Sequence, residues 1–266
     1  MRKSIIALGV MAAAAAVPAQ AEYLFGFGNM YVDYQMWNHG IGNDKSNFGQ
    51  EIDDRNQAVI GIDGGAVFDW GQIYGFYDYE GVDRGGDNRG ASAKGTIHYN
   101  LTDSGVTLYA QVYNTDKDKG PTLHEQNRVI GLGYTGLKGD GWGVSTFLGV
   151  HHINTEGSDA NPAITGNNGG MAGWVGYYNT EIGGEKFTFS TWGELEFARN
   201  KRYSDVQSTE FANGKGSESW GLNGSVNAMW NFHENWSTGV LYRYTVNKLG
   251  RRDYQDIVIY RLQYAF

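Results

Sequence analysis

The sequence predicts an all-β protein, a transmembrane antiparallel barrel of twelve strands with short turns at one end and longer loops at the other. Three observations predict it. Gly supplies 40 of 266 residues and aromatic side chains 14%, while Pro supplies only 3 and mean hydropathy is −0.47. Apolar and polar residues alternate in segments recurring about every twenty residues, the two-residue period of a strand with one apolar face. The connections between the segments are alternately short and long along the whole chain, as in outer-membrane barrels. A polar average is then expected, because only alternate residues of a barrel strand need be apolar. Closure of the sheet matters because lipid cannot satisfy an open edge. A soluble sandwich has no reason to gather its long loops at one end.

The elements follow in order. Segments 25–38, 56–69, 72–80, 91–100, 105–114 and 127–135 are joined in turn by the long Asn38–Arg55 loop, "DWGQ" (69–72), "GVDRGGDNRG", "LTDSG" (101–105) and "TDKDKGPTLHEQ". "TGLKGDG" (135–141) leads to 142–152, then "HINTEGSDANPAITGNN" to 170–180 and "EIGGE" (181–185) to 186–198. "RNKRYSDVQSTEFANGKG", "NFHEN" (231–235) and "KLGRRDY" carry the chain through 218–231 and 236–247 to 255–266. Alternation is cleanest at the end. Trp220, Leu222, Val226, Ala228 and Trp230 share a face, as do Trp236, Val240, Tyr242, Tyr244 and Val246, and Val258, Tyr260, Leu262, Tyr264 and Phe266. These rows are expected to face outer-membrane lipid, with their aromatic rings near its boundaries. Five short turns between twelve strands bring both ends of the barrel to the periplasmic side.

Residues 1–21 read as a cleaved secretory signal peptide. Arg2 and Lys3 precede an apolar run of thirteen, Ile5–Val17, and Ala19-Gln20-Ala21 supplies a small-residue cleavage site. A spanning helix would need about 20 apolar residues. Residues 22–266 are then a single barrel domain. Without Arg2 and Lys3, 19 basic residues face 29 acidic ones, a formal charge of −10, which opposes nucleic-acid binding. The absence of Cys excludes thiol chemistry and disulfides.

Catalytic and metal motifs are weak. "GLGYTG" (Gly131–Gly136) fits G-x-G-x-x-G, but a dinucleotide site needs a helix after it, and here a turn leads into another strand. His151 and His152 are adjacent on a strand and point to opposite faces, so they do not chelate one ion. His98 shares the inner face with Ser92 and Thr96, and no Ser on an apolar face stands opposite a His. No enzyme, cofactor or metal is expected.

Strand parity gives the lumen instead. It turns inward Tyr31, Asp33, Gln35, Asp63, Tyr74, Phe76, Asp78, Glu80, Lys94 and His98, then Tyr109, Gln111, Tyr113, Trp192, Glu194, Glu196, Arg243 and Arg261. Phe76, Tyr109 and Trp192 are the candidates for stacking on a flat heterocycle, which is worth ~1–3 kcal/mol per base elsewhere. Asp78, Glu194, Lys94 and Arg243 are the candidates for polar contacts with solute or for setting the charge of the pore. The mixed signs oppose a pore for anionic sugars.

At "FDWGQIYGFYDYE" (Phe68–Glu80) the chain resembles the Tsx family of nucleoside-specific channels and its OmpK branch. Phe68, Asp69, Tyr74, Gly75 and Asp78 match the family pattern, and "EQNRVIGLGY", "GGMAGWVGYYN", "STWGELEFAR" and the closing aromatic strand are similar to family members. The resemblance implies a monomeric twelve-stranded barrel whose narrow, aromatic-lined lumen passes nucleosides by diffusion. It also implies that bacteriophages can dock on the outside loops. The strand ending at Phe266 resembles the signal read by the barrel-insertion machinery. The first strand departs from the family's pattern, so no nucleoside-binding position is carried over. The expected function is a passive outer-membrane channel for nucleosides or similar small polar solutes. The alternatives are a general or oligosaccharide porin and a plugged barrel acting as receptor or adhesin, with the 38–55 loop as the candidate plug or constriction.

Overall fold

The computed structural model describes residues 21–37, 55–117, 122–157, 163–209, 218–248 and 254–266. The expected leader (but for Ala21) and residues 38–54 of the first long loop lie outside the described residues. Twelve strands run β1 (Tyr23–Met36), β2 (Gln57–Phe68), β3 (Gly71–Glu80), β4 (Gly90–Asn100), β5 (Val106–Lys117), β6 (Thr122–Gly139), β7 (Trp142–Gly157), β8 (Ile164–Ile182), β9 (Glu185–Phe197), β10 (Gly221–Asn231), β11 (Trp236–Val246) and β12 (Tyr254–Ala265). Each pairs antiparallel with the next, and β1 pairs with β12 from Asn29↔Ala265 to Met36↔Val258, closing the ring.

The five short turns fall where the sequence placed them. Gly183-Gly184 is a two-residue hairpin turn whose φ values, +64° and +87°, suit a type I′ turn and are readily available only to glycine. At the long-loop end the outcome differs. β6, β7 and β8 have 18, 16 and 19 residues, and the stretches 115–126 and 152–168, read from sequence as loops, are largely strand. About 9–11 tilted residues cross a membrane, so these three strands run well past it. Their upper parts carry polar residues on both faces, with Ile153 and Ile164 among them on the inner one, which leaves little alternation to read. Outward-facing Gln126 bonds Asn114 at 2.8 Å, and Thr165 bonds Asn154 at 2.7 Å. The loop read over 199–216 also contains a helix, α1 (Lys201–Thr209). Asn200 caps it by accepting the Arg202 N–H at 2.9 Å, and Lys201 pairs with Asp205 one turn on.

Burial is inverted relative to a soluble protein. Ile130 and Leu148 point outward and are 61% and 59% exposed, while inward-pointing Glu196 and Asp33 are 1% and 3% exposed. Aromatic rings form a belt round the short-turn end, with Tyr23, Phe68, Trp70 and Tyr99 in consecutive contact at 5.9, 5.2 and 6.0 Å. Inside, two apolar packs fill the flanks of the barrel. One holds Tyr109, Val129, Phe147 and Met171, the other Trp37, Met229, Leu241, Ile257 and Ile259. Between them lies a polar and aromatic slot.

Candidate functional site

Every residue assigned inward by parity lies on the inner face. Phe76, Lys94 and Tyr113 are direct cross-strand neighbours on β3, β4 and β5, and Tyr74 and Phe27 sit one row nearer the short-turn end. Gly65, between Phe27 and Tyr74, leaves room for their rings to approach. The result is a rising series: Phe27 to Tyr74 at 6.3 Å, Tyr74 to Phe76 at 6.5 Å and Phe76 to Tyr113 at 6.3 Å. Phe27 and Tyr74 are 52% and 36% exposed, so their faces are open to the slot. Phe27 lies within the segment 25–38 read from sequence and shares the parity of Tyr31, but the inward residues of that strand were read only from Tyr31 onward.

The top of this series meets a contact across the barrel. Lys94 Nζ on β4 lies 2.5 Å from Glu194 Oε1 on β9, although the two strands are five steps apart round the ring. Gln111 Nε2 donates to the same oxygen at 3.0 Å. The ammonium stands 5.6 Å from the Tyr113 ring centre and 5.7 Å from that of Trp192, and the Arg243 guanidinium lies 5.8 Å from Trp192. Five of the candidates, Phe76, Lys94, Trp192, Glu194 and Arg243, thus come together at one level.

Asp78 and Tyr109 do not join them. Asp78 accepts the Tyr31 hydroxyl at 2.5 Å in a neighbouring cluster, where Arg261 grips Asp33 through two bonds of 2.7 Å and lies 3.6 Å over Tyr31. Tyr109 is 2% exposed, stacked on Phe147 at 4.1 Å with its hydroxyl on Gln111. Its ring has no open face, so the stacking role expected of it gives way to support of the wall behind Gln111. Inward parity does not distinguish a residue facing the slot from one packed beneath its neighbours. His151 faces inward against Asn127 at 2.7 Å, while His152 faces outward, so the pair does not chelate.

The outer mouth is narrowed by α1. Tyr203, buried against Ile153 and Ile164 of the inner wall, donates its hydroxyl to Glu125 at 3.0 Å, and Asn200 N–H donates to Asn168 at 2.9 Å. At the base of the helix Glu196 takes Arg199 Nε at 2.7 Å and also Lys248 Nζ, while Arg199 reaches the Asn247 carbonyl at 2.6 Å. These bonds tie the upper ends of β9 and β11 to the helix.

Comparison with known proteins bears on what such a lumen does. The family model described as "Nucleoside-specific channel-forming protein, Tsx" matches residues 29–266. The chain belongs to the Tsx family. Among solved structures, this Tsx-family chain is similar to the NanC porin at 11% identity, over 90% of this chain and 98% of that one, with a TM-score of 0.49. It is also similar to an outer membrane channel from Pseudomonas putida F1 at 13% identity, over 94% and 99%, with a TM-score of 0.43. Family and barrel together make it a passive channel of the outer membrane, with its short turns on the periplasmic side.

Proposed function

We propose that the solute is a nucleoside, and that its base moves along the ring series Phe27, Tyr74, Phe76 and Tyr113 to the level of Trp192. The observation that carries this reading is the spacing of those rings along one wall at 6.3–6.5 Å, with open faces at the lower steps. A flat heterocycle stacks on such faces whatever its hydrogen-bonding edge, at ~1–3 kcal/mol per base. Lys94, Glu194 and Arg243 offer two donors and an acceptor to a sugar hydroxyl or base edge at the upper step. Passage is downhill and uses no cofactor. Residues 1–21 are taken as a leader removed on export, and the barrel as working singly.

Single-channel current through the refolded barrel in a planar bilayer tests the solute. Adenosine is expected to reduce the current saturably, and an oligosaccharide is not. Trp192→Ala is expected to weaken the adenosine effect by roughly tenfold, in keeping with the loss of one stacking partner, while open-pore conductance changes far less. An adenosine response unchanged in that variant removes Trp192 from the site. Current indifferent to adenosine in the parent protein assigns the pore to other polar solutes.

A further inference from the structure

We infer that the Lys94–Glu194 pair is the charge filter of the pore: it slows small ions of either sign alike, holds back larger charged solutes, and favours neutral solutes able to offer both a hydrogen-bond donor and an acceptor. The inference goes beyond the proposed solute and holds for any neutral permeant. Its basis is geometric. The ammonium and carboxylate come from walls five strands apart and meet at 2.5 Å, so whatever crosses this level must pass through or beside their contact. The Tyr109–Phe147–Met171 pack fills the barrel behind Gln111, and the second apolar pack fills the opposite flank.

A solute that parts the two groups must replace what each loses. A neutral molecule with a donor and an acceptor side by side can accept from Lys94 and donate to Glu194 together. An anion satisfies Lys94 but meets the Glu194 carboxylate, and a cation does the reverse. In either case one member of the pair is left uncompensated in a water-poor space, which is costly. Charges of both signs flank the pair, and Arg261 is held by Asp33 beside them. Arg243 stands by Trp192 on one wall, and Asp63 and Asp78, bonded to the neutral donors Asn29 and Tyr31, stand on the other.

The experiment measures reversal potentials in a potassium chloride gradient, with no nucleoside present, for the parent barrel, Glu194→Gln, Lys94→Gln and the exchanged pair Lys94→Glu/Glu194→Lys. Folding of each is checked by its unboiled mobility on a denaturing gel. Glu194→Gln is expected to favour chloride and Lys94→Gln potassium, with permeability ratios about tenfold apart, or about 1.4 kcal/mol. The exchanged pair is expected to return the ratio to the parent's. Equal ratios in both single variants overturn the filter, even where conductance rises, because the pair is then only a strut. Shifts that the exchange fails to restore overturn it as well, because the charges then act singly. If a single variant does not fold, Glu194→Asp, which keeps the charge but shortens the reach, is expected to raise conductance while still excluding adenosine monophosphate in liposome swelling; admission of the monophosphate overturns the filter, because the contact then acts only as a strut. A barrel whose ratios shift as expected but whose current ignores adenosine retains the filter and loses only the nucleoside.

Discussion

At the scale of single residues, the lumen is shaped as much by missing side chains as by present ones. A Cβ on Gly61 would collide with the Tyr31 ring and with Asp78 Oδ1, so this glycine is what lets the hydroxyl and carboxylate meet. Gly61→Ala is expected to break that bond and destabilise the barrel by about 1–3 kcal/mol, the usual cost of a lost hydrogen bond to a charged group. Urea unfolding followed by tryptophan fluorescence checks it, and an unchanged midpoint would mean that Tyr31 swings aside at no cost. The sequence could show that Gly61 and Asp78 share the inner face, since parity is local. It could not show that Tyr31 lies across the gap, because that depends on the register between β1 and β2. The meeting of Lys94 and Glu194 was illegible for a related reason. They stand 100 positions apart in the chain, and only closure of the ring brings them opposite.

At the scale of elements, strands were legible where one face is apolar and illegible where both are polar. β10 and β12 alternate cleanly and were found nearly to their ends. The upper reaches of β6–β8 carry Gln126, Asn127, Asn154 and Thr165 on both faces and read as loop. The same polarity hid α1, where Tyr203 is the one apolar side chain among those described. The helix and not a strand narrows the outer mouth, and it supplies a constriction within the described residues, where residues 38–54 do not lie. Deletion of residues 201–209 is expected to raise single-channel conductance, and Tyr203→Phe, which removes the hydroxyl bonded to Glu125, to raise it less. Equal conductance in parent and deletion would show that current already runs beside the helix.

At the scale of the whole molecule, stability and transport draw on opposite faces of one sheet. The outer face is held by lipid. Leu132→Arg, in the apolar band below Arg128, is expected to cost about 2–4 kcal/mol near the middle of the membrane, whereas Arg128→Leu, above that band, is expected to be nearly neutral. Unfolding in lipid vesicles distinguishes the two, and equal costs would misplace the band. The inner face carries transport, and there the even spacing of Phe27, Tyr74, Phe76 and Tyr113 has a kinetic consequence. Rings one step apart present a molecule with a run of shallow wells of similar depth, each shared with the next, so residence anywhere is brief and flux is high. Deepening a single well, by widening one ring or by adding a second hydrogen bond beside it, would lengthen residence there and slow the whole passage. Such a variant would bind nucleoside more tightly than its parent and deliver less of it, turning a conduit into a sensor.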